Sequence, residues 1–130
     1  MSISWFRDRE FGDLGTFELT KLSFLPQRIY WITNFVPGVS RGHHAHLTLK
    51  QAFIVLKGSV EFTLYNGEVS KVTTLKEGDE LLIIPSVCWR TFRSDQSSTV
   101  LLVICDQPFD ESDYIRNWEK YLDWHKKNER

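Results

Sequence analysis

Residues 38–58 of this chain read GVSRGHHAHLTLKQAFIVLKG, and the spacing of the histidines in this stretch constrains the fold more than any other feature. In an extended strand, side chains two residues apart point to the same side of the sheet. His44 and His46 are therefore predicted to face one way and His43 the other. The predicted fold puts two imidazoles on one wall and a glutamine and two arginines nearby. This combination favours a functional site over structural packing.

The rest of the chain is divided into short runs of β-branched and aromatic residues. These runs lie at 28–35, 51–56, 59–65, 71–75, 80–84, 88–93 and 99–106. Turn signals such as Lys57-Gly58 and Asn66-Gly67 separate them. Asn66-Gly67 predicts a two-residue hairpin turn, because both residues tolerate positive φ. Many short strands at even spacing indicate an all-β sandwich or barrel.

Length limits the chain to one domain, which we predict over residues 1–130. A chain of this size buries one hydrophobic core but is too short for a second of useful size. Near the end, Ile115, Trp118 and Leu122 recur at helical spacing after the capping residue Asp110, and they predict a short C-terminal helix at about 111–126.

Charge and hydropathy exclude several classes of protein. Sixteen basic and seventeen acidic residues give a formal net charge of −1, so no broad basic face is available for nucleic acid or an anionic membrane. No apolar run approaches the roughly 20 residues that span a bilayer. The charged stretch after Met1 lacks the apolar core of a secretory signal. We therefore expect a cytoplasmic protein in which Cys88 and Cys105 are buried free thiols.

The spacing around the histidine pair resembles the first motif of the cupin superfamily. Gly38, His44, His46 and Gly58 stand at the motif's positions, and Gln51 replaces its usual glutamate. The resemblance implies the cupin fold, a jelly-roll barrel also called a double-stranded β-helix.

The second cupin motif differs at the position that decides the chemistry. Metal-binding cupins carry a third histidine there, and this chain carries Arg90. A divalent metal needs three or four nitrogen or oxygen ligands, and the fixed positive charge of a guanidinium repels a cation. We therefore expect no metal. Free imidazoles with a pKa of about 6.5 suit general acid–base catalysis at neutral pH instead.

A longer set of residues resembles the nucleotide-sugar 3,4-ketoisomerases. Residues 41–46, Arg-Gly-His-His-Ala-His, are similar to that family's Arg-Gly-x-His-Ala-His signature, and residues 109–116 are similar to its closing segment with the Asp-Tyr-Ile-Arg motif. The resemblance implies a homodimer with exchanged N-terminal strands and an isomerase that uses no metal or organic cofactor. Such an enzyme converts a dTDP-4-keto-6-deoxyglucose into its 3-keto isomer, ahead of amination to a 3-amino sugar for surface glycans.

This reaction relocates two protons, one from C3 to C4 and one between the two sugar oxygens. A base removes the C3 hydrogen, which the C4 carbonyl acidifies, and an enediolate results; a second group moves a proton between the two sugar oxygens. We expect His44 to be the carbon base and His46 the oxygen-to-oxygen shuttle, and the reverse assignment stays open. The substrate-binding candidates are Arg41 and Arg90 for the diphosphate or the developing negative charge, Gln51 for a sugar hydroxyl or for orienting a histidine, and Tyr30 as an additional hydroxyl donor.

Other functions remain open from the sequence. A nucleotide-sugar 3,5-epimerase also combines a cupin barrel with histidine-based proton abstraction, although its His-Asp dyad is not evident in this chain. A non-catalytic sugar-binding cupin would keep the pocket without turnover. A metal-dependent cupin is the third alternative.

Overall fold

The computed structural model describes residues 3–128, in which all strand pairs are antiparallel. The strands are β1 (Ser4–Phe6), β2 (Leu14–Thr16), β3 (Arg28–Ile32), β4 (Arg41–His46), β5 (Gln51–Lys57), β6 (Ser59–Tyr65), β7 (Ser70–Lys76), β8 (Leu82–Ile84), β9 (Trp89–Arg93), β10 (Val100–Cys105) and β11 (Tyr114–Ile115). Helix α1 (Trp118–Lys127) follows them, and short 3-10 turns lie at Leu19–Lys21 and Glu111–Asp113. Within residues 3–128, no helix has the length and apolar character needed to cross a membrane.

Two sheets pack face to face around the core. The first sheet has the strand order β3-β10-β5-β8 and the second has the order β11-β4-β9-β6-β7. Phe53 of the first sheet meets Phe62 of the second edge to face, with ring centroids 5.2 Å apart. Along β10, Leu101 and Val103 alternate with outward residues and are fully buried in the same core. This two-sheet jelly roll with a short C-terminal helix confirms the predicted fold class.

The outer face of the first sheet is also apolar, and the N-terminal residues cover part of it. Strand β10 reads Val-Leu-Leu-Val-Ile-Cys, so it has apolar side chains on both faces. Ile54 and Ile104 on the outer face are buried by contacts with Ile3, Leu22 and Phe24.

The strands that we predicted from the apolar runs correspond to β3 and to β5 through β10.

The connection between β6 and β7 differs from the predicted two-residue turn. It spans residues 66–69, and Gly67 adopts a φ of 103° whereas Asn66 keeps a negative φ. The Asn66 side-chain oxygen instead accepts the backbone N–H groups of Glu68 and Val69 at 2.9 Å. The prediction was wrong because the asparagine closes a longer loop through its side chain.

Helix α1 begins at Trp118, later than the predicted start near residue 111. Residues Tyr114–Ile115 pair with β4, which keeps this part of the chain extended. Asp110 caps the preceding 3-10 turn by accepting the Ser112 N–H, and Asn117 caps α1 by accepting the Lys120 N–H. The predicted 111–126 helix is therefore interrupted by a strand that the helical spacing did not indicate.

Tyr121 anchors α1 to the second sheet. Its fully buried hydroxyl lies 2.9 Å from the carbonyl oxygens of both Tyr65 and Val87. Val87 has a φ of 59°, a left-handed conformation that is rare for a β-branched residue. Its N–H donates to the carbonyl oxygen of His46 at 2.6 Å. The tyrosine thus holds a strained turn next to the histidine strand.

Substitution of Tyr121 tests this anchor. We expect Tyr121→Phe to lower the free energy of unfolding by about 1–3 kcal/mol, since the single proton of the hydroxyl no longer serves either of the two carbonyl oxygens. The matched control is Tyr65→Phe, which removes a bond from a partly exposed hydroxyl to the Gly67 carbonyl oxygen. Urea denaturation of both variants measures the difference, and an equal loss of stability in the two would contradict the anchoring role.

Candidate active site

A β-bulge in β4 shapes the histidine motif. Gly42 pairs with Thr91 and His44 pairs with Arg90, so His43 is the extra, unpaired residue between them. Gly42 and His43 have φ values of 91° and 56°. A Cβ atom on Gly42 would lie 2.8 Å from the carbonyl oxygen of Arg90. The bulge therefore requires glycine at this position of the motif.

The bulge brings Arg41 and His44 to the same wall of the barrel. In a regular strand these two residues, three positions apart, would face opposite sides. With His43 bulged out, Arg41 pairs with Phe92 and His44 pairs with Arg90, so their partners are two positions apart on β9. Arg41 and His44 both line one cavity as a result, and His43 is exposed.

This cavity has a volume of about 400 Å³ and is lined by residues of both sheets. Four arginines, Arg28, Arg41, Arg90 and Arg116, contribute to its wall, and among the described residues that line it there is no Asp or Glu. Glu111 compensates the charge of one of them, Arg116, and the remaining positive groups of this concave site still concentrate anions. The cavity is therefore suited to a negatively charged ligand.

Most of the predicted site residues come together here. Tyr30, Arg41, His44, Gln51 and Arg90 line the cavity. The sixth predicted residue lies behind the wall: His46 is 1% exposed, and its ring centroid is 4.8 Å from that of His44 at an interplanar angle of 83°. The two imidazoles are thus adjacent on one side of the sheet, with His44 in front.

His44 is a neutral imidazole with a defined tautomer. Its Nδ1 lies 3.0 Å from the carbonyl oxygen of Gly42. A carbonyl oxygen can only accept, so Nδ1 carries the proton and Nε2 carries the lone pair. Burial, and then the charge of Arg90, lower the pKa of His44 to about 4. At neutral pH the ring is unprotonated and can act as a base.

His46 is neutral for the same reasons. Burial, and then the charge of Arg90, lower its pKa to about 2. A carboxylate oxygen of Asp113 lies 3.5 Å from the Nδ1 of His46, close enough for an ion pair if the ring were charged. Burial and Arg90 outweigh this attraction, so the contact joins a carboxylate to a neutral imidazole.

Arg90 starts a chain of hydrogen bonds that ends at the cavity. The guanidinium is 1% exposed; Nε and one Nη donate to the carbonyl oxygen of Cys88, and the other Nη donates to the amide oxygen of Gln51. The amide nitrogen of Gln51 donates to the hydroxyl oxygen of Tyr30 at 3.1 Å. Burial raises the pKa of Tyr30 to about 12, so its hydroxyl keeps its proton and can donate to a ligand.

Sequence reasoning missed Arg28, although a signal for it exists. Arg28 precedes Tyr30 by two residues on β3, so the period of the strand puts both on one face. Its guanidinium carbon lies 5.4 Å from the ring centroid of Tyr30 and 5.7 Å from that of Phe109. The strand period alone would have added this arginine to the candidate site.

The C-terminal segment supplies two further residues that the sequence analysis did not assign to the site. The ring of Tyr114 lies 4.2 Å from that of His46 and 5.0 Å from that of His44, between centroids. The guanidinium carbon of Arg116 lies 4.0 Å from the Tyr114 centroid, and Glu111 holds this guanidinium with two bonds of 2.7 and 2.9 Å. The extended conformation of this segment brings both residues to the cavity.

Comparison with known proteins gives consistent matches over nearly the whole chain. The model of the family described as "FdtA: WxcM-like, C-terminal" matches residues 1–126. A TDP-4-oxo-6-deoxy-alpha-D-glucose-3,4-oxoisomerase from Aneurinibacillus thermoaerophilus is 31% identical over 115 residues, which are 85% of this chain and 83% of the relative.

Solved structures agree with these matches. QdtA, a sugar 3,4-ketoisomerase from Thermoanaerobacterium thermosaccharolyticum in complex with TDP, superposes with a TM-score of 0.88 at 32% identity, over 99% of this chain and 94% of QdtA. A histidine-to-asparagine mutant of QdtA in complex with TDP-4-keto-6-deoxyglucose matches with the same TM-score and identity, over 98% and 93% of the two chains.

Proposed function

Because this chain belongs to the FdtA family, and with it to the TDP-sugar 3,4-ketoisomerases, we propose that it moves the keto group of a TDP-4-keto-6-deoxyhexose from C4 to C3 by histidine acid–base catalysis. The observation that carries this proposal is the neutral, cavity-facing imidazole of His44 in a wall that also holds four guanidinium groups. The 3-keto product is a carbonyl compound ready for amination, so the proposal includes a role ahead of 3-amino-sugar formation for surface glycans. No metal or organic cofactor takes part in the proposed steps.

The exposure of the arginines suggests how the substrate is oriented. Arg41 and Arg116 are exposed, whereas Arg90 is buried at the inner wall. A planar guanidinium matches the geometry of a phosphate. The diphosphate would therefore bind near the two exposed arginines, and the keto-sugar would extend inward toward His44.

His44 and Tyr30 supply the groups that the carbon chemistry needs. The Nε2 of His44 removes the C3 proton, and the electron pair moves onto the C4 oxygen to form an enediolate. The hydroxyl of Tyr30, polarised through Gln51 by Arg90, donates to this negative oxygen. A proton then passes from the C3 oxygen to the C4 oxygen, and reprotonation at C4 leaves the ketone at C3.

The proton transfer between the two oxygens is assigned to His46, which requires that the bound substrate open the wall in front of this buried ring. Its ring is in contact with that of His44 and is neutral at the pH of the reaction. A neutral imidazole can accept a proton at one nitrogen and release one, as this step requires. In this assignment His44 transfers the carbon-bound proton and His46 transfers the oxygen-bound proton.

Reaction in deuterated water separates these roles. We expect wild-type protein to convert TDP-4-keto-6-deoxyglucose to the 3-keto isomer with deuterium at C4, while recovered 4-keto substrate carries deuterium at C3, as followed by NMR. His44→Asn is expected to lose both exchange and isomerisation by about 10²–10⁴-fold, the usual contribution of a positioned acid or base. His46→Asn is expected to keep exchange at C3 while isomerisation falls.

The matched control is His43→Asn, which removes the exposed imidazole of the same motif and should leave the rate unchanged. Exchange confined to C3 and C5 would favour an epimerase, and bound substrate without exchange at any position would favour a sugar-binding protein. Loss of C3 exchange in His46→Asn alone would reverse the assignment of the two histidines.

The proposal extends to a homodimer in which N-terminal strands are exchanged. Strand β3 lies at the edge of the first sheet, and its outward residues Ile29 and Trp31 are 47% and 66% exposed. Phe6 of β1 and Leu14 of β2, two strands that pair with each other, are also exposed. A second copy of the chain would cover this apolar surface and the open strand edge together.

The mass of the protein in solution tests the dimer. We expect wild-type protein to have twice the chain mass of 15.3 kDa by light scattering after size exclusion. Trp31→Lys should shift the protein to a monomer, because it puts a charge into the covered surface. Val72→Lys, at a 61% exposed position on β7 of the other sheet, is the matched control and should remain dimeric. A wild-type monomer, or equal effects of the two variants, would contradict the dimer.

A further inference from the structure

The carboxylate of Asp113 lies next to the buried ring of His46. His46 is almost fully buried, and within residues 3–128 neither of its ring nitrogens has a hydrogen-bond partner. The carboxylate of Asp113 approaches its Nδ1 at 3.5 Å. This distance is longer than a good hydrogen bond, so the interaction acts through the electrostatic field of the carboxylate.

The Asp113 carboxylate is held in a fixed position. One carboxylate oxygen accepts the backbone N–H of Thr48 at 2.9 Å and its hydroxyl at 2.7 Å, and the other oxygen accepts the N–H of Leu49 at 3.1 Å. The backbone carbonyl of Asp113 also accepts the N–H of Leu47. These four bonds tie the segment before β11 to the turn after β4, so the carboxylate cannot rotate away from His46.

A fixed carboxylate distinguishes the two neutral forms of the ring. An ionised carboxylate has only acceptor sites. A lone pair on the Nδ1 of His46 would bring two negative regions together in a buried environment, whereas an N–H at Nδ1 turns its positive end toward the carboxylate. The form with the proton on Nδ1 is therefore the more stable one, and Nε2 is left with the lone pair.

We propose that Asp113 is a positioning residue that holds the proton of His46 on Nδ1 and leaves the lone pair on Nε2. Its influence on turnover rests on the proposed function of His46, whereas its influence on the tautomer does not. Both imidazoles would then present the same tautomer, because the carbonyl oxygen of Gly42 imposes it on His44 and Asp113 imposes it on His46.

The tautomer can be measured directly on the wild-type protein without substrate. Two-bond proton–nitrogen correlation spectra of protein labelled with 15N separate a protonated ring nitrogen from one with a lone pair. We expect the lone-pair signal of His46 at Nε2. A wild-type ring protonated at Nε2 would overturn the proposal, whether or not any variant folds.

The variant Asp113→Asn should reverse the tautomer. The amide oxygen can keep the two bonds to Thr48, with loss of the bond from the Leu49 N–H. The amide NH₂ then faces the Nδ1 of His46 and presents a donor where the carboxylate presented an acceptor. The matched control is Thr48→Val, which removes one bond to the same carboxylate and leaves its charge in place. We expect a reversed tautomer in Asp113→Asn and an unchanged one in the control.

Steady-state kinetics connects the tautomer to turnover. We expect kcat of Asp113→Asn to fall by about 100-fold with little change in KM, since positioned acid–base groups contribute about 10²–10⁴-fold. Thr48→Val should keep both parameters near wild type. Equal losses in the two variants would mean that Asp113 is merely structural and would overturn the proposal. A reversed tautomer with unchanged kcat would uphold the control of the tautomer and overturn the role of His46 in the proposed function.

Discussion

Arg90 carries a fixed positive charge into the barrel, and the site depends on how the fold accommodates that charge. A buried ion costs several kcal/mol unless hydrogen-bond acceptors satisfy it. The carbonyl oxygen of Cys88 and the amide of Gln51 provide these acceptors, so β9 and β5 are linked across the core. Burial lowers the pKa values of His44 and His46, and the same charge lowers them further. The guanidinium therefore helps to keep the two bases unprotonated and also orders the donors beside them.

Irregularities of the backbone then determine which side chains lie near the charge of Arg90. The bulge at Gly42 and His43 turns Arg41 to the wall that holds His44. The segment before α1 stays extended and pairs with β4, which brings Tyr114 against both histidine rings. Each of these features interrupts a regular element: a bulge breaks a strand ladder, and a strand replaces the first turns of a helix. The chemistry of the cavity depends on these interruptions more than on the regular strands.

Local patterns in the sequence were sufficient for most of the fold. Strand period and turn residues located β3 and β5 to β10, and the spacing of His44 and His46 predicted two adjacent rings on one side. The bulge was not predictable, because it depends on the pairing of β4 with β9, which is far away in sequence. The extended segment at 114–115 was missed because its residues fit a helical spacing; the competing contacts come from the distant turn at Thr48. Both features depend on contacts between residues that are distant in sequence, and short-range periodicity does not predict such contacts.

The central claim is that catalysis uses an imidazole kept neutral by burial and by Arg90. The pH dependence of kcat/KM for TDP-4-keto-6-deoxyglucose tests it most directly, because this ratio reports the ionisation of essential groups in the free protein. We expect activity to persist on acidification and to fall only near pH 4, the value that the structure gives for His44. A loss of activity centred at about pH 6.5, the ordinary value for histidine, would contradict the account.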